Sequence, residues 1–365
     1  MSGYVYILVW IAACYLITNT VRPIHKERTC GAWEYRYDFK WALIIFLPIV
    51  VWCSLRTNFG DTEAYRKSFL ELPGAFSSLF SYVPTIEKDK GFTALSIIIK
   101  SIIGNSDIFY FFIIAAIQGL CLVIVYRKYS CNYLMSIFLF IASTDYLSWM
   151  FNGMRQFLAA ALLFTAIGLI LSKRYTLAII VTLLVSTIHG SALLMIPMIF
   201  IVQGKAWNKK TLLFILGVIL AIVFVDQFTN ILSEAIVDTQ YDDLLTNGIW
   251  ENDDGTSMFR VLVYAVPTLL SLVGRRIILK ENNHVINLCT NMSILSTGLY
   301  IVSMFTSGIY IGRLPIYFSL YNYILLPWEI ENIFTKKSAD IMYLLTIAAY
   351  LLFYYLQMHM AWNLI

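Results

Sequence analysis

A succession of long apolar segments constrains this chain more than any other feature of its sequence. The hydrocarbon core of a bilayer is about 30 Å thick, and a helix needs about 20 apolar residues to cross it. The chain is 59% hydrophobic and 13% charged, with a mean hydropathy of +0.73, which is typical of a membrane protein. The sequence therefore predicts an all-α polytopic membrane protein, with residues 1–365 forming a single integral membrane domain. The apolar runs lie near 4–22, 39–55, 108–126, 133–150, 154–172, 210–226, 258–273, 285–304, 314–332 and 340–359.

The lysines and arginines between these runs orient the chain, because cytoplasmic loops of membrane proteins are enriched in both residues. The first run lacks a basic n-region and a small-residue cleavage site, which favours a retained span over a signal peptide. A basic loop follows it, so we expect that loop inside and the N-terminus outside. The clusters expected inside are Arg22/Lys26/Arg28/Arg36/Lys40, Arg127/Lys128, Lys173/Arg174, Lys205/Lys209/Lys210, Arg275/Arg276/Lys280 and Lys336/Lys337.

Two further apolar stretches must be placed so that all of these clusters stay inside. The stretch 176–202 has His189-Gly190 in its middle, and we expect a short hairpin that turns there. The stretch 91–104 carries Lys100 and is too short to cross, so we expect a re-entrant or interfacial segment on the outer side. The result is about twelve crossings, with both termini outside. One long tilted span over 176–202 is the alternative, and it would put the later basic clusters outside.

The remaining cations all fall on the predicted outer side or at its membrane boundary. Two outer loops are expected there: 56–107, which contains the re-entrant segment, and 226–257, whose charged residues are all acidic. The outer cations are Arg56, Arg66, Lys67, Lys88, Lys90, Lys100, Arg155, Arg260 and Arg313. The acidic residues are Asp226, Glu234, Asp238, Asp242, Asp243, Glu251, Asp253 and Asp254.

Four of the outer arginines begin or end an apolar run. Arg56 ends the second run, whereas Arg155, Arg260 and Arg313 each open a run. An arginine at a span end can simply extend to the headgroups. Three of the four, however, lie where a helix begins, and the helix dipole there opposes a cation and favours an anion. The group therefore predicts a nearby anion, which is either a protein carboxylate, such as those of 226–257, or a bound phosphate.

The residues around Arg155 are spaced to share one helical face. Asn152, Arg155 and Gln156 are related by three and four residues, and small alanines follow at 159–161, where they allow close helix packing. The functional interpretation is a polar, cationic face towards a cavity. The structural alternative is an N-cap formed by Asn152.

Three further residues are candidates for chemistry at the same face of the membrane. Asp61 follows Gly60 in the first outer loop, and His189 lies at the predicted outer turn; either could accept a proton. Lys90 precedes the re-entrant segment and could line a pocket. The structural alternatives are a local ion pair for Asp61, a hydrogen-bonding tie for His189 and a solvated charge run for Lys90.

Several classes of site find no support in the sequence. It contains no P-loop, no GxSxG, no HExxH and no CxxC, and its six cysteines are scattered. We therefore expect no metal, no cofactor and no nucleic-acid partner. The charge distribution instead predicts an outward-facing site for an anionic amphiphile whose head carries phosphate.

Five stretches, taken in order, resemble a known family. The chain is similar to the EpsG family of exopolysaccharide membrane proteins, which is related to Wzy-type polymerases, over about residues 50–325. The stretches are LRTNFGDTEAYRKSF (55–69), DKGFTALSIIIKSI (89–102), NGMRQFLAAALLF (152–164), IHGSALLMIPMIF (188–200) and GRLPIYFSLY (312–321).

The resemblance implies a polysaccharide polymerase of the bacterial plasma membrane, with its active site on the outer side. Such enzymes join oligosaccharide repeat units carried on undecaprenyl diphosphate, and the family type is metal-independent. Membrane lipid, a chain-length regulator and a flippase are the further partners implied. Under this interpretation the expected catalytic residues are Asp61, His189 and Arg155. The expected substrate-binding residues are Arg56, Asn152, Gln156, Arg260, Arg313, Lys90, Tyr65 and Tyr317.

Two other functions remain open at this point. A flippase for lipid-linked oligosaccharides would also have about twelve spans, although the sequence lacks the internal repeat and mid-membrane charges common in transporters. An O-antigen-ligase-like transferase would have much the same site.

Overall fold

The computed structural model describes residues 3–21, 24–29, 32–225, 227–229 and 255–364, and these are mostly helical. They form two compact units. The first unit comprises Met1–Ile167, Ile180–Ala192 and Phe334–Ile365, and the second comprises Gly168–Ile179 and Leu193–Ile333. The expectation of a single domain over the whole chain stays a prediction.

The α-helices agree well with the apolar runs of the sequence. In chain order they are α1 (Gly3–Val21), α2 (Phe39–Ser54), α3 (Thr62–Glu71), α4 (Leu79–Tyr82), α5 (Lys90–Ile103), α6 (Asp107–Tyr129), α7 (Tyr133–Ala142), α8 (Met154–Thr165), α9 (Ile167–Leu171), α10 (Tyr175–Ser186), α11 (Met195–Ile201), α12 (Lys209–Val223), α13 (Met258–Val273), α14 (Arg275–Glu281), α15 (His284–Phe305), α16 (Ile316–Ser319), α17 (Asn322–Ile333) and α18 (Lys336–Leu356).

The number of spans is lower than the sequence predicts. In the described ranges, four helical segments are long and apolar enough to cross a membrane, or six if each of two bent pairs counts as one span. The all-α membrane class is therefore confirmed, whereas the count of about twelve is not. The four segments are Asp107–Tyr129, Met154–Leu171, His284–Phe305 and Lys336–Ala361.

Bends and short helices account for the difference. The run 133–150 bends by 75° between α7 and a π-helix at Tyr146–Asn152, where Thr144 has a φ of +61° and Asp145 is buried. Helix α13 bends by 69° into α14 at the end of the run 258–273, and other apolar helices, such as Phe39–Ser54 and Tyr175–Ser186, have only 10–17 residues. Such breaks are tolerated in membranes where neighbouring protein groups satisfy the freed backbone.

The two unusual stretches are both helical. The stretch 176–202 is divided into α10 and a second apolar helical segment, Gly190–Ile201, and the break falls at 187–189 as the sequence predicts. Whether the chain crosses twice there stays a prediction. The stretch 91–104 forms α5, whose 14 residues span about 21 Å. This length is shorter than a bilayer core, and the re-entrant or interfacial placement of α5 stays a prediction.

A β-hairpin in the first basic loop is not among the predicted elements. Strands β1 (Ile24–Thr29) and β2 (Ala32–Tyr37) pair antiparallel, with Thr29 opposite Ala32. The sequence signal is a two-residue connection that contains Gly31, followed by three aromatic residues in β2.

Aromatic packing in the first unit builds the base of the site. Side chains of α3, α5, α6 and α8 form one buried cluster, in which the rings of Phe69 and Tyr110 stack with their centroids 4.1 Å apart. A stacked pair of this kind contributes about 0.5–1.5 kcal/mol beyond its buried area. Helices α3, α5, α6 and α8 are thereby fixed against one another.

The second unit is organised around α15. This helix packs against α12, α13 and α17. Hydroxyl groups join α13 to α15, because Thr268 lies 2.7 Å from both Ser293 and Thr297. Interhelical hydrogen bonds and small residues are the usual means of joining helices in a membrane.

Candidate functional site

Four of the five stretches named above meet in the first unit. They contribute the start of α3, the start of α5, the start of α8 and the turn at 187–191. Residues that are about 30 to 100 positions apart in the sequence are thus brought into one cluster. Polar contacts rather than apolar packing alone connect these elements.

Arg155 lies in the first turn of α8, as the sequence predicts, and it has a carboxylate partner. Its Nη1 donates to Oδ2 of Asp89 at 3.0 Å. The Asp89 side chain is 5% exposed, whereas that of Arg155 is 44% exposed. The guanidinium carbon also lies 5.8 Å from the centroid of the Tyr65 ring. Asp89 therefore provides the negative charge that the start of α8 favours, and part of the Arg155 side chain remains exposed.

Asp89 is held in an unusual environment at the N-terminal end of α5. Its backbone has a φ of +54°, in the left-handed region, and the N–H of Gly190 donates to its carboxylate. Burial raises the pKa of this carboxyl group, and the nearby Arg155 charge, the Gly190 hydrogen bond and Lys88 oppose that increase. Asp89 thus joins α5, α8 and the 187–191 turn through one side chain.

The contact between α5 and that turn is too close for any residue other than glycine. The N–H of Gly91 donates to the carbonyl oxygen of Thr187 at 2.7 Å. A Cβ at position 91 would lie 2.2 Å from Thr187 Oγ1 and 2.9 Å from its carbonyl carbon. The Gly-Phe of the second stretch is therefore needed for backbone approach.

The predicted residues His189 and Gln156 are brought together through Ser191. The Nδ1 of His189 lies 2.8 Å from Ser191 Oγ, and the Nε2 of Gln156 donates to the same oxygen at 3.3 Å. Both side chains are buried, His189 at 8% and Gln156 at 4% exposure. The serine of the fourth stretch thus orients the imidazole.

Asn152 does not cap α8, and the alternative interpretation of that residue is wrong. Gly153 occupies the N-cap position, while Asn152 ends the preceding π-helix and accepts a hydrogen bond from the backbone N–H of Asp61 at 3.0 Å. A Cβ on Gly60, where φ is +48°, would lie 2.2 Å from the Asn152 oxygen. Asn152 therefore holds the 60–61 turn against the start of α8, and the Asp61 carboxylate is left exposed.

Arg56 is buried without a carboxylate partner among the described residues. It is 6% exposed, and its guanidinium donates to the carbonyl oxygen of Met150 at 2.8 Å. The sulfur atoms of Cys53 and Met154 lie 2.9 and 3.2 Å from it, and the Phe111 ring centroid lies 4.0 Å from its Cζ. Its Nε has no hydrogen-bond partner. In contrast to Arg155, its charge is uncompensated.

A small cavity adjoins Arg56. It has a volume of about 190 Å³ and is lined by Arg56, Tyr4, Trp52 and Phe59 among others. Arg56 contacts the carbonyl oxygen of Met150 and the sulfur of Met154, the residue before Arg155, so both arginines lie at the start of α8. Arg56 and Arg155 are together called the cationic area below.

Two other outer cations have structural partners. Arg66 pairs with Asp107 at 2.6 Å, which joins α3 to α6. Lys100 is buried, and its Nζ donates to the carbonyl oxygens of Phe69, Leu70 and Leu72 at 2.7–3.0 Å. Lys100 therefore satisfies the C-terminal end of α3. Lys90, by contrast, is exposed.

The remaining predicted residues belong to the second unit. Arg260 lies in the first turn of α13, where its N–H donates to the N-cap residue Ser257 and its Cζ is 5.8 Å from the Tyr264 ring. Arg313 ends a short 3₁₀ turn and is half-buried, and Tyr317 is 3% exposed. Their roles in binding stay predictions.

A match over most of the chain establishes the family of this protein. The family model described as the EpsG family matches residues 39–363. The chain belongs to the EpsG family. The resemblance identified from the five stretches is thereby confirmed, and the family is consistent with an exopolysaccharide-related polymerase. No curated protein and no solved structure matches the chain.

Sequence reasoning did not identify Asp89 as the partner of Arg155 in this EpsG-family protein. The available signal was an acidic residue directly before the Lys-Gly that opens an apolar segment. The acidic stretch in 226–257 was the carboxylate source named instead, and all of its acidic residues lie outside the described residues. In the part of the chain that the structure describes, no three His, Cys, Asp or Glu side chains group closely enough to hold one metal ion.

Proposed function

We propose that this EpsG-family protein is a polysaccharide polymerase that joins repeat units carried on undecaprenyl diphosphate at the outer face of the bacterial plasma membrane. The observation that carries the proposal is the convergence of four stretches on Arg155. Together they bring Arg155, its carboxylate partner Asp89, Arg56 and the buried His189 into one cluster, and each of these groups would have a role in glycosyl transfer.

The diphosphate would bind to the cationic area formed by Arg155 and Arg56. Guanidinium groups make charge-assisted, bidentate hydrogen bonds to phosphate oxygens and stay charged at any physiological pH. The open side of Arg155 can receive phosphate while Asp89 holds the other side. Arg56 brings a positive charge that has no carboxylate partner among the described residues, which favours an anion in its vicinity. Arg260 and Arg313 are further candidates for this role.

The reaction is a transfer of the growing glycan to a new acceptor. The bond between its anomeric carbon and the diphosphate oxygen breaks, and the electron pair leaves on the lipid diphosphate. A hydroxyl oxygen of the next lipid-linked unit forms the new glycosidic bond, and its proton passes to a base. Fixed cations near the diphosphate stabilise the negative charge that develops on the leaving group.

His189 and Asp61 are the two candidates for the base. The imidazole of His189 is oriented by Ser191, as a general base must be, and its burial keeps water away from it. Asp61 is more exposed, and its backbone is fixed by Asn152. Tyr65, beside Arg155, is positioned to stack on a sugar ring, and Lys90 and Tyr317 are the other expected contacts.

A reconstitution experiment separates this function from its alternatives. Purified protein in liposomes would receive synthetic lipid-diphosphate repeat units and no other substrate, and the products would be sized. A ladder of longer glycans supports the polymerase. Unchanged substrate that redistributes between leaflets would indicate a flippase. In a parallel reaction with an added acceptor glycan, a single transfer to that acceptor without a ladder would indicate a ligase-like transferase. Either of the last two results would overturn the proposal.

A further inference from the structure

The first unit contains a second cationic cavity. It lies where two segments that the sequence predicts to be cytoplasmic meet, namely the first basic loop and the loop that follows α6. It has a volume of about 250 Å³ and lies between the β-hairpin, the C-terminal end of α6 and the start of α7. Arg36 of β2 and Arg127 of α6 both line it. None of the residues that line this cavity belongs to the cluster around Arg155, so the cavity needs an explanation of its own.

Both arginines are held in place by backbone groups. Arg36 is 4% exposed and donates to the carbonyl oxygen of Ser130, while Nε of Arg127 donates to that of Tyr37 at 2.6 Å. These contacts fix the guanidinium groups beside one cavity instead of letting them extend into solvent. Two ordered arginines on one cavity are suited to a phosphate group.

The charges around this cavity favour an anion. The carboxylate of Asp38 lies 2.6 Å from Nδ1 of His25, and the other ring nitrogen of that histidine lies 3.3 Å from Arg127. The cavity also lies at the start of α7, where Asn132 caps the helix and the dipole is positive. Two arginines and a helix start therefore line the cavity, and the described residues that line it include no Asp or Glu, while Asp340 lines the adjoining groove.

An apolar groove adjoins the cationic cavity. The two share Tyr15, Asn132 and Leu134 as lining residues. The groove runs between α1, α7 and α18, is lined mostly by aliphatic side chains, and has a volume of about 740 Å³. Its walls include the exposed apolar residues Leu16 and Leu344. A volume of this size is in the range of about 300–1,000 Å³ that is typical of sites for small ligands.

We infer that the cavity and the groove together bind one anionic phospholipid, with its phosphate between Arg36 and Arg127 and an acyl chain along α1, α7 and α18. A charged cavity that continues into an apolar groove matches the two parts of such a molecule. Anionic lipids are enriched on the cytoplasmic leaflet, and basic pockets between membrane helices on that side are known to bind their headgroups. The inference is independent of the proposed polymerase activity.

Lipid binding by the purified protein tests the inference. Delipidated protein in detergent would be titrated with phosphatidylglycerol or phosphatidylcholine, with bound lipid counted by native mass spectrometry and the melting temperature recorded. We expect phosphatidylglycerol to bind more tightly and to raise the melting temperature more. Equal binding of the two lipids, or an equal melting shift from inorganic phosphate alone, would overturn the inference.

Two adjacent cations provide a matched pair of variants. Arg127→Gln is expected to weaken phosphatidylglycerol binding roughly fivefold, the contribution of one basic residue at an anionic surface. Lys128→Gln removes the same charge from a residue outside the cavity, whose Nζ lies 5.1 Å from the Tyr129 ring, and should leave binding unchanged. An equal loss in both variants would mean that only the overall surface charge matters.

A third variant keeps the test decisive if Arg127→Gln does not fold. Ala12 is an exposed residue that lines the apolar groove. Ala12→Trp therefore fills the groove without changing any charge. We expect it to weaken the binding of phosphatidylglycerol. Unchanged binding would show that the groove is not where the acyl chain lies.

Discussion

At the scale of single residues, the pair formed by Arg155 and Asp89 determines how the cluster behaves. Sequence reasoning predicted that Arg155 needs an anion, and the structure provides it from a residue 66 positions earlier in the chain. The partner could not be identified from the sequence, because Asp89 lies in a run of alternating charges that usually faces solvent. Only the folded start of α5 removes its carboxylate from water.

The environment of Asp89 predicts a specific pH dependence. Because burial raises its pKa above the ordinary value of 3.8, the folded protein holds this proton at a pH where the unfolded chain has released it. The free energy of unfolding therefore falls as the pH rises from that value through the raised pKa. Asp89→Asn removes this titration, so the melting temperature of the variant minus that of wild type should increase over that pH window.

The difference in melting temperature between the variant and wild type is the quantity to follow, because the other carboxyl groups titrate in both proteins and their contributions cancel. A difference that decreases with pH would mean that the Arg155 charge lowers the Asp89 pKa overall. Asp61→Asn, which removes an exposed carboxylate of the same cluster, is the matched control for the loss of one negative charge.

At the scale of elements, α5 and α3 depend on each other through Lys100. The Nζ of Lys100 donates to three carbonyl oxygens at the end of α3, and Lys100→Met removes this donor from all of them, although the Phe69 oxygen keeps the N–H of Leu72. We expect a loss of about 1–3 kcal/mol in the free energy of unfolding. Thermal unfolding in detergent would measure it. Lys67→Met, at an exposed position on α3, should change stability little, and an equal loss in both variants would contradict this role.

The docking of α5 on the 187–191 turn gives a second prediction at this scale. Gly91→Ala places a methyl group 2.2 Å from Thr187 Oγ1 and 2.9 Å from its backbone, so α5 must move and take Asp89 with it. We expect Gly91→Ala to lose most of its polymer synthesis, because Asp89 is then displaced from Arg155. Gly74→Ala, where nothing lies within 4 Å, should be neutral. Wild-type polymer from Gly91→Ala would show that this contact does not position the site.

The sequence predicted these elements better than their contacts. The apolar period of 90–103 and the break at His189-Gly190 were both visible, and each became a helix or a turn at the expected place. The hydrogen bonds of Asn152 to Asp61 and of Gln156 to Ser191 were not, because they join residues 35 to 91 positions apart. Interior breaks, such as that at Thr144, also escaped prediction, since apolar composition continues through them.

At the scale of the whole molecule, the sidedness of the chain is the prediction most open to test. If 176–202 crosses the membrane twice, Arg174 and Lys205 lie on the same, cytoplasmic side. Arg174→Cys and Lys205→Cys should then both resist a membrane-impermeant thiol reagent in intact cells and react after permeabilisation. The unsubstituted chain, whose cysteines include the exposed Cys131, provides the background. Labelling of only one of the two in intact cells would indicate a single long span.

The class of protein followed from the sequence because it depends on composition, and the family followed because it depends on local motifs. The number of crossings did not, since it depends on helix length and on bends that tertiary packing creates. Arg260, Arg313 and Tyr317 illustrate the same limit. Arg313 and Tyr317 lie in a recognisable stretch of the family pattern, whereas Arg260 does not, and the contribution of all three to binding depends on the tertiary arrangement.

The central claim is that Arg155 binds the diphosphate of a lipid-linked glycan as a bidentate, permanently charged group. The most direct test is the length of glycan made from lipid-diphosphate repeat units by purified wild type, Arg155→Lys and the exposed control Arg174→Lys, at equal protein amounts. Lysine keeps the charge but loses the planar fork, so Arg155→Lys should yield no ladder or a much shorter one, while Arg174→Lys matches wild type. A full-length ladder from Arg155→Lys would contradict the account.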